Sequence, residues 1–259
     1  MSYTIDILKV GQADVHGPEV YWMSKWFDWE TLFFYMLVVR GEGKTVVINT
    51  GPPEDVSEIS RVWVQYIGDE RGALKVAPEE RPARALARLG VDPAEVDYVI
   101  ISPLQAYSIS NVQLFPNATI CLSRRGWVDF HAPKFSNQQT TSRKASIPDD
   151  VLHYLVIDAW SRVRLLEDEE QILPGLRTFW VGAHGAASLA ICIDTAKGTV
   201  IYSDCAFKYP NIEESRLLGI AMSLDDCQAA YARIRKEADI FIPGFDPDVL
   251  SRFPGGRLA

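Results

Sequence analysis

The chain reads as an α/β fold on three observations. Apolar, β-branched runs of strand length recur from end to end, two of them joined by the glycine turn of a hairpin. One helix-period segment, Glu79–Leu89, lies between two such runs, and a second, Ser223–Lys236, separates two later ones. The 259 residues are enough to bury a sizeable core, and residues 1–259 are expected to form one domain.

The elements follow in order. Met1-Ser-Tyr-Thr-Ile-Asp-Ile-Leu-Lys-Val10 alternates apolar and polar residues and predicts a strand. An irregular, aromatic-rich stretch follows, with Tyr21-Trp22, Trp26-Phe27 and Trp29. Leu32–Val39 and Lys44–Asn49, parted by Gly41-Glu-Gly43, predict the hairpin, and Thr50-Gly-Pro-Pro53 a turn. Glu79–Leu89 opens with acids and Pro82, and places Ala83, Leu86, Ala87 and Leu89 at helical spacing. Gly90 is its stop. Val96-Asp-Tyr-Val-Ile-Ile101 is then a buried strand, and Ser102–Asn111 the turn at its C-terminal end, where open α/β sheets place their sites. Leu114–Cys121 reads as a turn and another strand.

Arg125–Pro148 is polar and predicts a loop or lid, with Asn137–Ser142 its least structured part. Pro148–Leu152 leads into Leu155-Val-Ile157 and Val163–Leu165. Ile172–Val181, Ser188–Asp194 and Gly198–Ser203 predict strands of a second β-layer, with turns at Pro174-Gly175 and Ala196-Lys-Gly198. Ser223 is the candidate N-cap of the helix through Lys236, with Asp225-Asp226 in its first turn. Ala238–Pro243 is a last short strand, followed by Gly244-Phe-Asp-Pro247.

Composition bounds the function. Hydrophobic residues make up 47% and charged residues 23%, as in an ordinary globular protein. A net charge of −8 argues against a nucleic-acid or anionic-membrane binder. The N-terminus lacks the basic start and long apolar core of a signal peptide, and no apolar run is long enough to span a bilayer, so a cytoplasmic location is expected. Cys121, Cys192, Cys205 and Cys227 are too scattered for a redox or zinc motif and predict buried free thiols.

The phrases at the strand ends carry a resemblance. Ser102-Pro-Leu-Gln-Ala-Tyr-Ser108, Val181-Gly-Ala-His-Gly-Ala-Ala-Ser188, Val200-Ile-Tyr-Ser-Asp-Cys205 and Pro243-Gly-Phe-Asp-Pro247 occur in an order that resembles the metallo-β-lactamase superfamily, most closely its N-acyl-homoserine-lactonase-like branch. The resemblance implies a four-layer αββα sandwich of two mixed β-sheets flanked by helices. The family's Thr-His-x-His-x-Asp-His motif falls on Pro103, Gln105, Tyr107 and Ser108. Its later ligands fall on His184, Asp204 and Phe245, and the usual Asp of its Ile-Asp-Thr-Gly phrase on Asn49. Of seven ligand positions, only His184 and Asp204 then keep a strong metal ligand, fewer than a catalytic zinc site needs. No cofactor or metal is therefore expected.

Three functions are weighed. The leading one is a metal-free relative binding a small molecule in a repurposed pocket of Gln105, Tyr107, Ser108, His184, Asp204 and Phe245. The second is a hydrolase of a lactone, ester or amide, with His184, Asp204 and Tyr107 as candidate catalytic groups. It would be metal-free, or mononuclear around Gln105, Tyr107, His184 and Asp204. The third is a structural subunit with a filled pocket and a large apolar patch. Cys205 is a weak candidate nucleophile because it and Asp204 should face opposite ways, and Ser108 lacks a nucleophile elbow. His16, His131 and His153 read as structural or surface histidines, although His16 and His131 lie in loops that flank the pocket in the resembled family. The aromatics from Tyr21 to Tyr35, with Trp63 and Tyr66, are candidate pocket lining and homodimer contact, and Trp180 adds to the pocket wall.

Overall fold

The computed structural model describes residues 2–134 and 143–258; Asn137–Ser142 lies outside them. In the first sheet β1 (Thr4–His16), β2 (Trp29–Gly41), β3 (Lys44–Ile48), β4 (Tyr98–Ile101), β5 (Thr119–Ser123) and β6 (Val163–Leu166) lie side by side in chain order. The first three are antiparallel and β3 to β6 are parallel. In the second sheet β7 (Glu169–Leu173), β8 (Leu176–Trp180), β9 (Leu189–Thr195) and β10 (Gly198–Ser203) run antiparallel, and β11 (Ile240–Pro243) is parallel to β10. The short β12 (Arg257–Leu258) returns to the edge beside β1.

Alternation along the strands divides the core. Tyr35, Leu37, Val46, Ile48 and Ile100 point between the sheets and meet Leu189, Ile191, Ile193, Val200 and Tyr202 there. Their neighbours Met36, Val38, Val47, Val99 and Ile101 face outward, as do Ala190, Cys192 and Ile201 on the other sheet. Helices cover those outer faces: Pro82–Arg88 buries Ala85 and Leu86, and Leu224–Glu237 buries Cys227, Ala230, Tyr231 and Ile234. The runs in β2, β3 and β4 are apolar on both faces because both faces are covered, the pattern of strands inside a layered α/β fold.

The helix Leu224–Glu237 starts as expected, with Ser223 Oγ accepting from the Asp226 N–H at 3.1 Å. The structure departs from the sequence reading in several regions. β1 continues to His16 past a bulge between Lys9 and Gly11, because β2 also begins earlier, at Trp29, and supplies a partner. Arg124–His131 is a helix and not loop; Ser123 Oγ accepts from the Gly126 N–H, and Trp127 is buried. Ser57–Ile67, for which the sequence predicted no element, is also a helix. All four cysteines are free and buried. Among the described residues no helix is long and apolar enough to cross a membrane.

Candidate functional site

The C-terminal ends of β3, β4, β10 and β11 converge, and each delivers one polar or aromatic group by continuing its strand. Asn49 follows β3, Ser102 follows β4, Asp204 follows β10 and Phe245 lies just beyond β11. Ser203 pairs with Pro243, which brings Gly244 against Asp204; a Cβ on Gly244 would lie 2.9 Å from the Asp204 Cα. Glycine is required there by that close approach.

Asp204 is fully buried and saturated with donors. Its Oδ2 accepts from Ser188 Oγ at 2.6 Å and lies 3.0 Å from His184 Nδ1, and its Oδ1 accepts from Ser102 Oγ at 3.0 Å. A carboxylate can only accept, so with Asp204 ionised Nδ1 is the donor of the pair, and in the neutral imidazole Nε2 is then an acceptor. Among the described residues Nε2 has no hydrogen-bond partner. Ser102 is held in turn: its Oγ accepts from the Leu189 N–H at 2.9 Å and its own N–H donates to Asn49 Oδ1 at 2.9 Å. Asn49 Nδ2 donates to the Tyr202 hydroxyl at 3.1 Å. Asn49 itself has φ 61°, a left-handed conformation that asparagine tolerates better than most residues.

His184 sits in a turn, Gly182–Gly185, with left-handed backbone at Gly182 and Ala183. The Met222 N–H donates to the Ala183 carbonyl at 2.7 Å and ties this turn to the segment before the last long helix.

Above the dyad lies an aromatic cluster. Tyr107 meets Phe34 at 4.8 Å between centroids, Trp63 at 5.7 Å and Phe245 at 5.8 Å. Phe245 packs edge-on to Phe207 at 4.6 Å, and Phe207 edge-on to the His184 ring at 4.9 Å. Such edge-to-face pairs fix ring orientation as well as burying area. The Phe33 N–H donates to the Phe245 carbonyl at 2.9 Å and locks that residue to β2. Burial, reinforced by Asp204 and Tyr202, holds the Tyr107 phenol well above its ordinary value, so it is neutral at physiological pH.

A cleft of about 190 Å³ opens onto this cluster and is lined by Gln105, Tyr107, His184, Phe245, Phe34 and Trp63, among others. A second, more polar cleft of about 150 Å³ lies on the far side of Gln105 and His184, beside Pro103, Asp129 and Ser146. Gln105 and His184 therefore form the partition between the two.

Of the residues singled out in the sequence, Gln105, Tyr107, His184 and Phe245 meet around the first cleft, with Asp204 directly behind His184. Ser108 is buried away from it and contributes its carbonyl to Thr50 N–H and Oγ. Cys205 faces the outer core instead, and burial pushes its thiol far up. Trp180 is not in the cleft wall: its indole donates to the Ala186 carbonyl, and Arg125 stacks on its ring at 4.1 Å. His131 lies on a separate surface shelf with Trp127 and Trp160, His153 is exposed, and His16 packs on Trp29. In the early aromatic segment Tyr21 is buried, whereas Trp22, Trp26 and Phe27 are exposed. Glu19, Phe207, Ser102 and Ser188 were not singled out. Ser102 and Ser188 stood inside quoted phrases, and Phe207 stands three residues past Asp204.

Two mixed sheets with helices outside and a cleft across their strand ends define the class of fold. The chain belongs to the metallo-β-lactamase superfamily, whose family profile matches residues 34–250. N-acyl homoserine lactonase AttM of Rhizobium radiobacter is 23% identical over 242 residues, 87% of this chain and 86% of that protein. An N-acyl homoserine lactonase of Bacillus cereus is 20% identical over 179 residues, 68% of this chain and 65% of its own length, so the match spans just under two thirds of that protein. A solved N-acyl homoserine lactone hydrolase, with N-hexanoyl-L-homoserine bound at its catalytic metal center, superposes with a TM-score of 0.81 at 17% identity, covering 98% of this chain and 99% of that one. At that identity the likeness is one of fold. Among the described residues no group of three or more His, Cys, Asp and Glu side chains is placed to hold a metal ion.

Proposed function

We propose that the chain is a single metallo-β-lactamase-like domain whose metal site has been rebuilt as a binding cleft for a small molecule of apolar or mixed polarity. The observation that carries this reading is the packing of Phe245 and Tyr107 with Phe34 and Phe207 directly over the buried His184–Asp204 pair. The donor set does not fit a zinc pair. Asp204 spends both oxygens on three protein donors, Phe245 offers no donor atom, and Gln105 is a weak neutral ligand. Tyr107 is equally poor as a phenolate ligand, because burial and Asp204 favour its neutral form. No step of any reaction is therefore assigned to a metal.

A second reading, metal-free hydrolysis of a lactone, ester or amide, is favoured by one observation. His184 is oriented by Asp204 through Nδ1, as a general base would be, and leaves Nε2 without a partner at the cleft. The lactonase relatives make N-hexanoyl-L-homoserine lactone the substrate to try first. The purified protein is expected to bind the lactone without turning it over. Chelator-resistant hydrolysis that is lost in His184→Ala would replace the binding reading with the hydrolase reading.

A further inference from the structure

Glu19 stands out among the residues lining the first cleft. It lies in the short helix Gly17–Val20, whose neighbouring loop is joined to the cleft wall where the Ile220 N–H donates to the Glu19 carbonyl at 2.7 Å. Its carboxylate is partly buried, yet among the described residues it has neither an ion pair nor a side-chain hydrogen bond. Most partly buried carboxylates here are paired: Glu30 with Lys208 at 2.6 Å and Lys25 at 3.1 Å, Glu80 with Lys9 at 2.7 Å, Asp6 with Arg40 at 2.5 Å. Among the described residues in the cleft wall, Glu19 is the only acid and there is no Lys or Arg.

The rest of that wall is aromatic. Trp63, Tyr66, Phe34, Tyr107, Phe207 and Phe245 contribute ring faces and edges, and Tyr66 lies close enough to Glu19 for the carboxylate to help raise its phenol. Ring faces carry negative potential and attract cations, with a preference that strengthens as water is excluded. A lone carboxylate beside such rings lacks only a positive partner, and leaving it uncompensated in a partly desolvated site is costly.

We propose that the ligand of this cleft is a cationic amine carrying an aromatic or apolar body, with its ammonium paired to Glu19 and its body packed on the aromatic wall. This rests on the reading of the cleft as a ligand site and names the class of ligand. A free carboxylic acid is disfavoured by the same charge. Burial raises the Glu19 carboxyl and the nearby His16 opposes that; an ammonium beside the carboxylate offsets the cost of burying its charge.

The test compares two probes of equal shape, 2-phenylethylammonium and neutral 2-phenylethanol, by titration calorimetry at pH 8 on the intact chain and on Glu19→Gln. The intact chain is expected to bind the ammonium about tenfold or more tightly than the alcohol, and Glu19→Gln to lose that preference while binding the alcohol unchanged. Equal binding of both probes, unaffected by Glu19→Gln, overturns the charge assignment and leaves the cleft a neutral apolar site. Binding of neither probe by the intact chain overturns the charge assignment and the cleft reading together. Melting curves of Glu19→Gln establish that the variant is folded, so a lost preference reports the missing charge.

Discussion

At Asp204 a single carboxylate organises four segments of chain. It receives Ser102 from the end of β4, Ser188 from the loop before β9 and His184 from the turn after β8, while its own backbone abuts Gly244 after β11. Ser188→Ala deletes the shortest of these hydrogen bonds at a fully buried charge, and a loss of about 1.5–3 kcal/mol in urea denaturation is expected. Tyr107 supplies a pH signature. Its folded value is raised above an unfolded value near pH 10, so its contribution is complete below about pH 10 and declines as pH rises further. Tyr107→Phe is therefore expected to lose less stability than the parent between about pH 9 and 11, measured as the shift in denaturation midpoint. Most of the polar site was legible in the chain. His184, Asp204 and Asn49 stood in phrases at predicted strand ends, and the two serines stood beside them. Glu19 gave no signal, because its importance comes from the partners it lacks, which only the packed structure defines.

Among the elements, those with a clear local code were read and those imposed by packing were not. Ser223 followed by Asp225 and Asp226 announced the helix Leu224–Glu237, and Ser223→Ala is expected to cost about 1 kcal/mol in the same denaturation measurement, through the lost cap. The helix Ser57–Ile67 announced nothing. Its Val62-Trp-Val64 and Tyr66-Ile67 residues have middling or low helix propensity, and only Ile59 is buried. It is nevertheless the element that brings Trp63 and Tyr66 to the cleft. Arg124–His131 was likewise hidden by its polarity. It is fixed by the Ser123 cap and by Gly126, where an added Cβ would come within 2.3 Å of Ala187.

Across the whole molecule the two-sheet sandwich follows from alternation that both faces of the central strands obey, and that pattern is independent of what the strand ends carry. On the proposed reading, this separation lets the fold remain that of the lactonase relatives while the strand ends carry a different site. The proposed reading takes the carboxylate satisfied by protein donors, with the aromatic cluster over it, as a site built around side chains and not around ions. Elemental analysis of the purified native chain, beside a His184→Ala control, tests that claim most directly. Metal content near zero in both is the expected result. About one metal ion per chain in the native protein, absent from the control, would contradict it and make His184 a metal ligand.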